Sequence, residues 1–231
     1  MAPYNIIVFD LGDVLFTWSQ QTDTKVSPKT MRKIISMPAW YEYEKGLLAR
    51  DACYEQIGDE LGFPAVEIAN AFEQARDSLR EDRKMTAFIH QIKARKPNLS
   101  VYAMSNISRE DYDFLRTTVE ADWSLFDRVF PSGHAGMRKP DVQFFKHVLR
   151  EISGKPEEVI MVDDKLENIE SARSLGIHGV QFTDPAKARE QITQLLGVVD
   201  NGSTSQRKMQ LLGSLIFCIF LFLTFLPFRL Q

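Results

Sequence analysis

Five short apolar runs, each ending in small or polar residues, constrain the fold of this chain more than any other feature. Ile6, Ile7, Val8 and Phe9 stop at Asp10, with Gly12 two residues on. The segments "LSVYAMSN" (99–106), "FDRVFPS" (126–132), "EVIMVDD" (158–164) and "HGVQF" (178–182) have the same character. Helical patterns separate them, such as "DVQFFKHVLREI", where apolar residues fall at 142, 144, 145, 148, 149 and 152. Strands alternating with helices at this spacing predict a parallel α/β sheet. Ligands in such sheets bind beyond the carboxyl ends of the strands. Asp10, Ser105, Asn106, Asp163 and Asp164 are therefore expected to converge there.

Residues 17–90 break the rhythm. They read as successive helices, with Ser27-Pro28 as a helix start and Gly62-Phe63-Pro64 as a break, and they offer no strand. The expected organisation is a core domain from 1–16 and 91–197, with 17–90 as a helical cap over the strand ends. The aromatics Trp40, Tyr41, Tyr43, Phe63 and Phe72 read as packing residues of that cap, which would still allow it to close over an apolar substrate.

Bulk properties narrow the partners. The 231 residues are 44% hydrophobic and 26% charged, ordinary values for a globular protein that buries a sizeable core. Lys and Arg total 28 against 31 Asp and Glu, for a net charge of -3, which leaves no basic footprint for nucleic acid. Cys53 and Cys218 are far apart and lack neighbouring His, so neither a disulfide framework nor a zinc site is expected. The opening "MAPYN" runs directly into the first strand, an argument against secretion and for a cytoplasmic setting. At the other end, residues 198–210 read as a linker. Leu211 to Phe228 then carry no charge, with Arg207 and Lys208 before them and Arg229 after. That length is at the lower edge of a bilayer span, so a tail anchor is expected, the alternatives being a docked helix or a non-native tail.

The converging residues suggest a chemistry. A carboxylate of reference pKa about 4 needs no base to act as a nucleophile, and a phosphoryl group is a suitable electrophile for Asp10. Two anions repel, so positive charge must accompany them. A hard divalent cation held by Asp163 and Asp164 is one source, since Mg²⁺ takes a few carboxylates plus substrate oxygens. The ammonium of Lys139, in "GMRKPD", is another. Ser105 and Asn106 would donate hydrogen bonds to phosphoryl oxygens.

In order, "VFDLGDVLF", "YAMSNIS", "GMRKPDVQFF" and "VIMVDDKLENIESARSLGIHGV" resemble the four motifs of the haloacid dehalogenase (HAD) superfamily, and "WYEYEKGLLARDACYEQI" resembles its helical cap. The resemblance covers roughly residues 4–190. It implies a Rossmann-like HAD core, with Asp10 as the nucleophile that forms an aspartyl-phosphate, Ser105 and Asn106 binding the phosphate, and Lys139 neutralising charge. The implied Mg²⁺ set is Asp10, Gly12, Asp163 and Asp164, and Asn168 would orient the last motif. More narrowly, the same segments are similar to the HAD-like domain of fungal drimane-type sesquiterpene cyclases and their companion phosphatases. In that group an Asp-Asp-x-x-Glu motif accompanies diphosphate removal, and Asp163, Asp164 and Glu167 match it. The Asp-x-Asp-Thr-Thr motif of the cyclising domain is absent from this sequence.

Superfamily phosphatases usually place a second aspartate two residues after the nucleophile, where it protonates the leaving oxygen. Here that position is Gly12. Positions i and i+2 of an extended segment share a face and i+3 does not, so Asp13 replaces the missing acid only if the loop bends. An alkoxide leaving group needs the proton, whereas a phosphate with a pKa of about 6 departs largely unaided. The expectation is an Mg²⁺-dependent phosphatase acting on an isoprenoid diphosphate or a related phosphorylated small molecule. A dehalogenase, a catalytically weak scaffold and a cyclase-derived fragment remain as alternatives.

Overall fold

Every apolar run singled out above becomes a strand, and the gaps become helices. The computed structural model describes residues 4–198. In chain order its elements are β1 (Ile6–Phe9), β2 (Phe16–Thr17), α1 (Pro28–Ile34), α2 (Pro38–Glu44), α3 (Arg50–Leu61), α4 (Ala65–Asp77), β3 (Arg80–Glu81) and α5 (Arg83–Arg95). Next come β4 (Ser100–Ser105), α6 (Arg109–Thr118), β5 (Arg128–Pro131), α7 (Ser132–Ala135), α8 (Val142–Glu151), β6 (Val159–Asp163), α9 (Leu166–Ser174), β7 (His178–Gln181) and α10 (Pro185–Leu196). Five strands form one sheet in the order β5-β4-β1-β6-β7, all neighbours parallel, which is the Rossmann-like α/β architecture expected.

The continuous apolar run of β1 follows from its central place, because both its faces are covered. Ile7 and Phe9 point to one side and pack with Ile89 of α5 and Ile192 of α10. Ile6 and Val8 point to the other and pack with Phe144 and Phe145 of α8 and Ile169 of α9. Burying each such side chain contributes about 1.5–3 kcal/mol. Phe9 lies opposite Ala103 of β4 and Val162 of β6, so the next residue, Asp10, emerges between the ends of both neighbours. The chain leaves β1 for strands on one side and returns for β6 on the other. This reversal opens a crevice where Asp10 emerges.

The helical insertion has its own core. Met31, Ile34, Trp40, Tyr43, Ile57 and Ile68 are buried together in a cluster separate from the two that line the sheet. Ser27 caps α1 by accepting the Thr30 N–H, with Pro28 in the first turn, and Gly62 closes α3 at φ 73°. Two details differ from expectation. Residues 17–90 were expected to hold no strand, yet Phe16–Thr17 and Arg80–Glu81 pair as a short antiparallel ribbon at the neck of the insertion. Two-residue strands are too short for an alternating pattern to show. The expected boundary at 90/91 also falls inside α5, whose Met85, Phe88, Ile89 and Ile92 are buried against the sheet.

Among the described residues no helix is long and apolar enough to cross a membrane. The expected anchor at 211–228 and the linker from 199 onward lie outside them.

Candidate active site

β1 ends at Phe9, and the Asp10 N–H donates to Val162 O at 2.8 Å, fixing the start of the loop against β6. The Asp10 carboxylate is 8% exposed at residue level. Its Oδ1 accepts from the Leu11 N–H at 2.7 Å and faces Lys139 Nζ at 3.0 Å. Oδ2 takes no such bond from the described residues. Burial pushes the Asp10 carboxyl up to about 7; Lys139 opposes this, and Asp163 and Asp164 reinforce it. An aspartate at its reference pKa was expected here, and desolvation is the reason for the difference.

Lys139 is fully enclosed. Its ammonium has three donors and three oxygens around it: Asp163 Oδ2 at 2.7 Å, Met104 O at 2.8 Å and Asp10 Oδ1 at 3.0 Å. Burial works against the charge, but the two carboxylates outweigh it and hold the Lys139 pKa above the ordinary lysine value. Removing the cation would leave two buried carboxylates facing each other. Lys139→Met is therefore expected to destabilise the protein by about 3–5 kcal/mol, read by urea unfolding, with part of the loss recovered on adding Asp163→Asn. A loss below about 1 kcal/mol would place the pair in the class of solvated ion pairs.

Asp163 ends β6 with no exposed surface, and its other oxygen accepts from Asn168 Nδ2 and the Lys165 N–H, each at 2.9 Å. Asp164 is half-buried, and Lys165 Nζ lies 2.6 Å from its Oδ2. Asp10, Asp163 and Asp164 present oxygens that all lie within 4.8 Å of one another, a hard donor set that fits a divalent cation. Glu167 is exposed in the first turn of α9 and stands outside that cluster.

Asn106 has a task the sequence did not suggest. Its side-chain amide donates to Lys139 O at 2.8 Å and accepts the Lys139 N–H at 2.7 Å. The side chain thus braces the lysine segment, with one of its two amide hydrogens left over. Ser105, buried at the end of β4, remains on the floor beside it.

Gly12 and Asp13 also resolve. A Cβ built on Gly12 meets nothing within 4 Å, so the position is vacant space. Asp13 adopts φ 56°, the left-handed bend that the loop needed to bring it round. The bend carries it toward Asp164, Lys165 and Trp18 instead. Partial burial and Asp164 raise its pKa, while Lys165 and Trp18 hold it down.

Above this floor is a cavity of about 220 Å³. Gly12, Ser105 and Asn106 line its base, and Asp13 is not among its lining residues. Its apolar lining comes from Phe16 and Leu115 and, from the insertion, Ile35, Trp40 and Phe72. Polar links join the insertion to the core domain. Glu44 of α2 meets Arg138, the residue before Lys139, at 2.9 Å, while the Arg138 guanidinium lies 3.9 Å from the centre of the Tyr41 ring. Burial raises the Glu44 pKa, and Arg138 counters it. Asp111 of α6 accepts from Tyr43 Oη at 3.0 Å and from Ser108 Oγ at 2.8 Å, with Arg76 Nη1 at 3.5 Å. Sequence reading missed all of these, because the partners are tens of residues apart and each residue type is common on surfaces.

The family model for haloacid dehalogenase-like hydrolases matches residues 4–176. Among curated proteins, the chain is 40% identical over 194 residues to a sesquiterpene phosphatase, astK, of Aspergillus oryzae, covering 84% of this chain and 97% of that one. It is 43% identical over 192 residues to the drimenol cyclase drtB of Aspergillus calidoustus, covering 83% of this chain but only 36% of the cyclase. Among solved structures, a HAD family enzyme of Bacteroides thetaiotaomicron in complex with magnesium and inorganic phosphate superposes with a TM-score of 0.60 at 19% identity, over 77% of this chain and 93% of that one. L-2-haloacid dehalogenase of Xanthobacter autotrophicus gives 0.57 at 17%, over 82% and 83%. The chain is a member of the haloacid dehalogenase-like hydrolase family.

Proposed function

We propose that this hydrolase is an Mg²⁺-dependent phosphatase that removes the terminal phosphate of an isoprenoid diphosphate, of sesquiterpenyl size or close to it, through an aspartyl-phosphate on Asp10. The phosphatase class is supported by the family match and by the relative that this chain covers almost end to end. The observation that carries the finer reading is the single cavity that joins the vacant Gly12 position to a wall of aromatic and aliphatic side chains.

Asp10 attacks phosphorus with Oδ2, the oxygen not tied to Lys139 or Leu11. Lys139 holds the carboxylate in place and offsets its charge. Ser105, the main-chain N–H of Asn106 and the remaining amide hydrogen of its side chain bind phosphoryl oxygens. Asp10, Asp163 and Asp164 would hold Mg²⁺, with Gly12 able to join only through its main-chain carbonyl. Asp164 offers the more open oxygens, because Asp163 already takes three donors. When bound, the ion would supply the further positive charge that attack of one anion on another requires. The apolar wall excludes water from the leaving side and carries the hydrocarbon. A dehalogenase reading needs no such acid cluster, which favours phosphoryl over carbon as the electrophile.

The test is a phosphate-release screen on the purified chain, comparing sesquiterpenyl diphosphates with the corresponding monophosphates and with sugar phosphates. Diphosphates should be preferred, and a chelator should reduce release to background, with recovery on adding Mg²⁺. Equal rates with and without the chelator would count against the metal. A preference for sugar phosphates would remove the isoprenoid.

A further inference from the structure

The cavity has no acid at Gly12; among the described residues its charged lining is Glu44, Asp111 and one basic side chain, Arg76, in the last turn of α4. Its environment is unusual for a structural arginine. The guanidinium lies 4.7 Å from the centre of the Phe114 ring, which fixes its plane. Its Nε is buried and has no hydrogen-bond partner among the described residues. Its contact with Asp111 Oδ1 is long, at 3.5 Å, while the other oxygen of that carboxylate is held by Tyr43 and Ser108 at shorter range. Arg76 is therefore a held cation, 18% exposed at the side chain, with unused donor capacity at a cavity that also reaches the phosphate floor. Guanidinium forks suit phosphate oxygens, and a buried N–H without a partner is costly to leave so.

We infer that Arg76 binds the second phosphate of the substrate, taking the place of the absent general acid by neutralising the leaving group with a fixed cation. The inference rests on the diphosphate reading above and says why that reading suits this site. In the step concerned, the bond from Asp10 Oδ2 to the terminal phosphorus forms and the bond from that phosphorus to the bridging oxygen breaks. The electron pair stays on the bridging oxygen, which becomes a terminal oxygen of the departing isoprenoid monophosphate. A diphosphate monoester trianion and a carboxylate enter; a phosphate monoester dianion and an aspartyl-phosphate dianion leave. No proton moves, and the one additional negative charge appears on the phosphate facing Arg76. A monophosphate substrate places an alkoxide there, which needs a proton that a guanidinium does not give. Arg76 thus selects by the charge of the leaving group, independently of the hydrocarbon.

Binding and turnover together test this. In magnesium, methylenediphosphonate should bind the wild-type chain more tightly than methylphosphonate, measured by calorimetry. Arg76→Gln should erase a difference of about 10–100-fold, the range for a hydrogen bond to a charged group, and Arg76→Lys should restore part of it. The same variant should lose turnover on a sesquiterpenyl diphosphate far more than on the monophosphate of the same alcohol. Asp111→Asn removes the negative charge beside Arg76 but keeps the guanidinium, and should retain the diphosphonate preference. Equal losses on both phosphonates, or an Asp111→Asn variant that loses the preference as Arg76→Gln does, would make Arg76 a strut between α4 and α6 and overturn the assignment. The two readings fail differently. Wild-type hydrolysis of the diphosphate with no effect of Arg76→Gln sinks only the role of Arg76. An Arg76-dependent diphosphonate preference without hydrolysis of isoprenoid diphosphates supports the second-phosphate site and removes the isoprenoid.

Discussion

Asp10→Asn is expected to lower phosphate release by ~10⁴-fold or more, because removal of a nucleophile eliminates the covalent route and leaves only binding and electrostatics. The fold should survive. Lys139 keeps Asp163 at 2.7 Å and Met104 O at 2.8 Å, so the buried ammonium is still paired when Asp10 becomes neutral. An asparagine also keeps an oxygen for the Leu11 N–H. The measurement is steady-state phosphate release on the preferred substrate, beside a thermal melt on the same preparation. Undiminished turnover in a folded Asp10→Asn protein would show that another group attacks phosphorus.

Gly12→Asp is expected to raise monophosphate hydrolysis by about 10²–10⁴-fold, the usual contribution of a positioned general acid when the leaving group needs a proton. The space for it exists, since a Cβ at Gly12 meets no atom within 4 Å. Diphosphate hydrolysis should change little, because that leaving group already departs as a stable anion. Asp13→Asn is the control. Asp13 bends toward Asp164 and Lys165, so its amide should leave monophosphate turnover unchanged. A monoesterase loss in Asp13→Asn would make Asp13 the working acid. Equal gains on both substrate types in Gly12→Asp would mean that the new carboxylate accelerates hydrolysis of the shared aspartyl-phosphate.

The strands were legible because a doubly covered parallel sheet demands unbroken apolar runs, and Ile6–Phe9 and Val159–Asp163 have them. The floor of the site followed, since residues just past strand ends have nowhere else to go. Helix α5 was harder to assign. Its pattern continues the helical stretch before it, and only the packing of Met85 and Ile89 under the sheet separates it from the insertion. The two-residue ribbon at 16–17 and 80–81 carries no periodicity at all. The Asn106 amide also matches the backbone of a segment 33 residues away, which no local pattern reveals. The same holds for Arg76 and Asp111. Arginine and aspartate are ordinary surface residues until a cavity forms beside them.

The separate core of the helical insertion has a consequence for how such proteins diversify. Phe72 and Ile35 pack with Met31, Trp40 and Ile68, and none of these belongs to the clusters that hold β1 and β6 in register. A lineage can reshape this part of the cavity lining while the residues that seat Asp10 beside Lys139 stay as they are. The acid and lysine cluster and much of the cavity lining are specified by different stretches of chain, so either can drift under selection without forfeiting the other.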